Sequence, residues 1–177
     1  MTPTIRLASA ALVLSALLGA AACGQPAEAP AETEAAADAI PSSADVHPFT
    51  VGELQLAALR DGTITLPLDQ TPWGDADAVS AILTEAGQGA DAVHLSVQPL
   101  LVRQGDRVVL IDTGAGGQMG TANGLPGALS AAGVNPAEVT DILISHAHGD
   151  HIGGLVGAEG SRAFPNAVVR MSAPEWR

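Results

Sequence analysis

The chain of 177 residues contains no lysine and no tyrosine, a single cysteine, two phenylalanines and two tryptophans. Each scarcity removes a class of explanation. Seven arginines stand against 19 acidic residues, giving a formal net charge of −12, and so acidic a surface excludes a phosphate-tracking nucleic-acid binder. Cys23, being alone, cannot close an intramolecular disulfide, and no other cysteine exists to ligate a metal. The few aromatics leave the walls of any substrate pocket undefined. No internal repeat stands out, and the length suits one domain after its leader and tail are set aside.

The N-terminus reads as an export signal. Arg6 supplies a minimal positive region, Leu7 to Leu18 an apolar one, and Gly19-Ala20-Ala21-Ala22 the small residues that precede a cleavage site. The apolar stretch is short for a membrane span of about 20 residues. Ala21-Ala22-Cys23-Gly24 resembles a bacterial lipobox, with Ala20 where that pattern prefers Leu. The resemblance implies that residues 1–22 are removed, that Cys23 is acylated, and that the protein is anchored by lipid to a membrane in the cell envelope. An ordinary secretory peptide or an uncleaved anchor are the alternatives. Residues 23–46, rich in Ala, Pro and Glu, cannot bury a core and are expected to form a disordered acidic tether.

From residue 47 to 177 the pattern is that of a mixed α/β domain. Phe49 to Val51, Leu54 to Arg60 and Thr63 to Leu68 read as strands, with Asp61-Gly62 as a hairpin turn. Asp75 to Glu85 places Ala78, Val79, Ile82 and Leu83 on one helical face. Leu95 to Arg103 and Arg107 to Asp112 predict a second hairpin, Leu125 to Ala132 a helix closed by Gly133, Asn135-Pro136 a cap opening a short turn, and Val168 to Met171 a last strand.

What the chain has in abundance is concentrated in Ser145-His146-Ala147-His148-Gly149-Asp150-His151, directly after the apolar segment Asp141 to Ile144. A chain leaving a sheet at His146 can aim His146 and His148 at one divalent ion, with ligand distances of about 2.0–2.1 Å. Asp150 and His151, past the bend at Gly149, can reach a second. Imidazoles beside a hard carboxylate suit zinc best, with manganese, iron or cobalt possible, and two ions about 3.5–4 Å apart support hydrolysis of a carbonyl or phosphoryl centre. An adventitious His-rich surface loop is the bland alternative. Asp112, ending an apolar strand, is a candidate to orient a ligand or brace the metal loop, or else simply to order the Thr113-Gly114 turn. His94 and Trp73 are weaker candidates, for a functional histidine and a substrate mouth. Gly114 to Gly124 lacks the Lys-Ser/Thr ending of a phosphate loop.

His146-Ala147-His148-Gly149-Asp150-His151-Ile152-Gly153-Gly154 resembles the signature of the metallo-β-lactamase superfamily. Val108 to Gly114 and Ala132 to Val139 resemble the segments that precede that motif. Phe49 to Leu68, Pro126 to Leu155, Phe164 to Ala167 and Glu175-Trp176 are most similar to the branch of methyl parathion hydrolase and the quorum-quenching lactonases. The resemblance implies an αββα sandwich and a dizinc hydrolase acting on a small-molecule lactone, ester or organophosphate. Asp150 is then a metal ligand that also accepts a proton. The family supplies a further His, a bridging Asp and a last His well downstream, whereas only Ile152 to Arg177 follow this motif and the remaining histidines, His47 and His94, lie upstream. The chain is therefore expected to be the N-terminal half of the sandwich, a piece of a longer enzyme, with one apolar sheet face uncovered and oligomers possible. A catalytically dead protein is the remaining expectation. The rival readings are a non-catalytic metal-binding lipoprotein, an inert half-domain that needs a partner chain, and a mononuclear iron oxygenase.

Overall fold

A computed structural model describes residues 39–157 and 159–177; the leader, Cys23 and most of the tether lie outside the described residues. Eight strands form two sheets: β1 (Val46–Val51), β2 (Leu54–Leu59), β3 (Gly62–Pro67), β4 (Ala92–Val97), β5 (Leu100–Gln104), β6 (Arg107–Ile111), β7 (Asp141–Ile144) and β8 (Val168–Met171). The larger sheet has the order β1-β2-β5-β6-β7-β8, while β3 and β4 pair apart from it. Pairing is antiparallel from β1 to β6 and parallel from β6 to β8.

Three helices complete the described fold: α1 (Ala76–Glu85), α2 (Leu125–Ala131) and the single turn α3 (Gly149–Ile152). Asp75 caps α1 by accepting from the backbone N–H groups of Asp77 and Ala78. At the far end of α2, Gly133 donates to Ser130 O and Val134 to Leu129 O, the paired bonds of a Schellman ending, with Gly133 at φ 70°. Asn135 and Glu138 form a reciprocal capping box around Pro136–Glu138.

The core lies on one side of the larger sheet. Leu59, Leu101, Leu110 and Ile142 are fully buried there, packed with Leu125, Ala128 and Leu129 of α2 and with Val139. Burying such side chains is worth roughly 1.5–3 kcal/mol each. The opposite side carries one register row, Phe49, Leu56, Val102, Val109, Asp141 and Val168. Phe49 and Val168 are exposed, as is Leu143 one row along, so this apolar face is only partly covered, as expected.

Asp141 is the one acid in that row. It accepts from Thr140 Oγ1 at 2.9 Å, Arg107 at 2.7 Å and Arg170 at 2.9 Å. The Thr140 hydrogen bond, with the two guanidinium groups behind it, outweighs desolvation and holds its carboxyl below the usual value of 3.8. Because Arg107 lies on β6, Asp141 on β7 and Arg170 on β8, this cluster ties the parallel strands together.

Three expectations need correction. Asp61-Gly62 is no hairpin: β2 pairs with β1 and β5, and β3 leaves for the second sheet. Asp61 is buried and accepts from Ala115 N and Leu125 N, both at 2.9 Å, clamping the glycine-rich turn to the start of α2. Likewise, Leu95 to Arg103 is not one strand, since Gln98-Pro99 separates β4 of one sheet from β5 of the other; the prolyl nitrogen has no hydrogen to donate to a ladder. Finally, the tether does not run to residue 46, since Ile40 is buried in the main core and Val46 opens β1. The expected helix α1 forms, with none of its residues buried and Ile82 66% exposed.

Candidate metal centre

The histidine-rich segment leaves the sheet at the C-terminal end of β7, between the ends of its parallel neighbours β6 and β8. Ser145 bends the chain, His146 to His148 belong to no helix or strand, His148 is the extended N-cap of α3, and Asp150 and His151 lie within that turn. The structure brings all four predicted ligands together. The rings of His146 and His148 have centroids 4.6 Å apart, those of His146 and His151 3.9 Å. Asp150 Oδ2 is 3.4 Å from His151 Nε2.

Asp112 organises this cluster from the end of β6. It is the single described residue other than glycine with positive φ, at 61°, a conformation that Asp tolerates better than most side chains. Its N–H donates to Leu143 O at 2.9 Å, which fixes it beside β7. Its Oδ1 accepts from Ser145 N at 2.8 Å, and its Oδ2 accepts from Ser145 Oγ at 2.7 Å and from His151 Nδ1 at 2.8 Å. Since the Ser145 hydroxyl donates to Asp112, its oxygen is free to accept from His146 Nδ1, 3.0 Å away. In this arrangement both Nδ1 atoms carry hydrogen, leaving the Nε2 lone pairs of His146 and His151 for a ligand role. One carboxylate thereby sets the tautomers of two imidazoles, the support expected of groups behind metal-binding histidines.

The loop is held from below by close backbone packing. Thr113 N and Oγ1 both donate to His151 O, at 2.7 and 2.9 Å. A Cβ on Gly153 would lie 2.3 Å from Ala115 O, and one on Gly154 2.0 Å from Thr113 O. Side chains at these two positions would therefore push the metal loop off the turn after β6.

Beside the cluster lies a cleft of about 290 Å³, lined by Ser96, Val97, Gln98 and Pro99 from the β4–β5 link and by Asp112, Asp150 and His151. Trp73 and His94 do not line it. Trp73 is half exposed, and His94 pairs with Thr65 Oγ1 across the antiparallel β3–β4 pair. His47 sits on the edge strand β1, near Phe49.

Three imidazoles and the carboxylate of Asp150 form a donor set that suits a borderline divalent ion. Among the described residues, no group of three or more His, Cys, Asp or Glu side chains is arranged to hold an ion.

Residues 94–177 match the family model described as the metallo-beta-lactamase superfamily. The chain belongs to this superfamily. As a metallo-β-lactamase superfamily member it is 32% identical over 136 residues to the human metallo-beta-lactamase domain-containing protein 1, an alignment covering 71% of this chain and 40% of that protein. Its fold superposes on AidC, a dizinc quorum-quenching lactonase solved with the product N-hexnoyl-L-homoserine. The TM-score is 0.69 and the identity 32%, over 73% of this chain and 45% of the other. The hydrolase AbOPH gives a TM-score of 0.67 and 30% identity, over 76% of this chain and 47% of that one. The chain thus spans less than half the length of each of these three relatives, and its mixed α/β architecture is that of the metallo-β-lactamase fold.

Two contributors were not foreseen from sequence alone. Ser145 relays Asp112 to His146, and its place immediately before the first motif histidine was the available signal. The Glu175 carboxylate accepts from Ala147 N at 3.0 Å; in the sequence it carried only a family resemblance, because nothing local ties it to a segment 28 residues away.

Proposed function

We propose that this chain carries the first ligands of a dinuclear metal-dependent hydrolase, with His146 and His148 on one ion and Asp150 and His151 on the other. The observation that carries the reading is the Asp112 carboxylate, which reaches His151 directly and His146 through Ser145. Zinc is the favoured metal on donor chemistry, with manganese, iron or cobalt as substitutes. Bound there, the ions would supply Lewis acidity and an activated water. Asp112 and Ser145 orient the imidazoles, and the Asp150 carboxylate, on the wall of the cleft, takes the proton lost by the attacking water and returns it to the oxygen of the leaving group. Ser96 and Gln98 on the facing wall offer a hydroxyl and an amide to a small polar substrate.

The substrate class is a lactone or other small ester, or an organophosphate triester. The kinship with a lactonase and with AbOPH supports the hydrolytic part of the reading, and the substrate class is inferred from it. The test is zinc titration of the purified chain, followed by hydrolysis assays with lactones, aryl esters and organophosphates, alone and with a C-terminal portion of a relative added. Binding of two zinc ions with H148A- and D150A-sensitive hydrolysis is expected. Zinc binding without hydrolysis under either condition would favour the rival reading, a metal-binding protein without catalysis.

We also propose that the protein sits in the cell envelope, tethered through an acylated Cys23 and the Ala-, Pro- and Glu-rich segment that leads to the domain. Detergent-phase partition of the native protein, abolished by C23A, is the expected result; partition unaffected by the substitution would remove the lipid anchor.

A further inference from the structure

We propose that Glu175 is a positioning residue for the His146–His148 pair, the counterpart from β8 of what Asp112 does from β6. This rests on the metal-centre reading above. The two histidines flank a single residue, Ala147, in a stretch with no strand or helix of its own. Its backbone is therefore free to rotate unless something outside it holds the peptide groups.

Two carboxylates provide that hold. Ser145 N donates to Asp112, which follows β6, and Ala147 N donates to Glu175, which follows β8. β7 lies between those strands, both parallel to it, so each neighbour ends beside the metal loop and delivers one acceptor to alternate N–H groups of it. Glu175 is itself set by a turn in which Glu175 N and Trp176 N both donate to Ser172 O, at 3.1 and 3.2 Å. The Ala147 peptide sets ψ of the residue before it and φ of Ala147, and hence the angle between the imidazoles on either side. Holding that N–H keeps the two rings aimed together before an ion arrives. Among the described hydrogen bonds Ala147 N has no other acceptor, so the loss of Glu175 releases the peptide.

The experiment compares the full chain with E175A and E175Q, using zinc ion alone in competition with a chromophoric chelator. Unfolding of the metal-free proteins and hydrogen exchange at the Ala147 amide are followed alongside. E175A should weaken zinc binding about tenfold, the scale of a lost supporting hydrogen bond, with the metal-free unfolding midpoint unchanged and Ala147 exchange accelerated. E175Q keeps an acceptor oxygen and should restore most of the affinity and the protection. Zinc affinity of E175A equal to that of the parent chain overturns the proposal. E175Q as weak as E175A also overturns it, in favour of a plain charge effect. A parent chain that binds no zinc overturns the metal-centre reading, and this inference with it.

Discussion

The two ends of this fold are built to different standards. Around β6, β7, β8 and α2, seven helical residues suffice to bury Leu125, Ala128 and Leu129, and one loop is tacked down by Asp112, Thr113 and Glu175. Around β3, α1 and β4, a longer helix buries nothing and the local cluster is small, Ile64, Val97, Ala115 and Ala122. Both helices end in proper caps. The difference lies in what their side chains meet, which shows that an amphipathic pattern and a good N-cap can specify a helix without specifying its partner.

The largest effect should come from cutting into the well-packed region. L129A removes a side chain that is 1% exposed in the main cluster and should cost about 3 kcal/mol, measured by chemical denaturation. G154A should cost about 2 kcal/mol in the same assay and also impair zinc binding, because its Cβ meets Thr113 O. Zinc binding unaffected by G154A would show that the interlocked turns do not set the loop.

D112A separates support from packing. Zinc affinity should fall about 10- to 100-fold by chelator competition, as His151 and Ser145 lose their shared acceptor. Asp141 provides a milder test, by pH. Its carboxyl titrates below 3.8 in the folded chain, so its contribution is complete above that pH and is lost as the pH falls through the depressed folded value. D141N should abolish that part of the acid-induced loss of stability. At the other end of the scale, I82A in α1 should change stability by no more than about 0.5 kcal/mol, since Ile82 is already 66% exposed. A large effect there would mean that α1 is packed against something, and the contrast between the two regions would disappear.

The metal loop was legible in the sequence because its chemistry is local: His146, His148, Asp150 and His151 fall within one turn after an apolar strand, and Gly153-Gly154 mark the close approach beneath them. Helix limits were legible for the same reason, since Asp75, Gly133 and Asn135-Pro136 act on neighbours within a few residues. Asp61-Gly62 misled because a turn dipeptide says nothing about which strands it joins. In the fold, the Asp61 carboxylate accepts from backbone groups at Ala115 and Leu125, more than fifty residues onward.

By itself, then, the sequence determined the proposed donor set, the acidic character of the chain, the lack of an intramolecular disulfide, and the family to which it belongs. Only the tertiary structure decided that β6 and β8 flank the metal loop, that Asp112 serves two histidines at once, and that Glu175 reaches the peptide between two more. Ligand identity is written in side-chain chemistry at short range. Ligand orientation depends on hydrogen bonds between segments that meet only when parallel strands come into register.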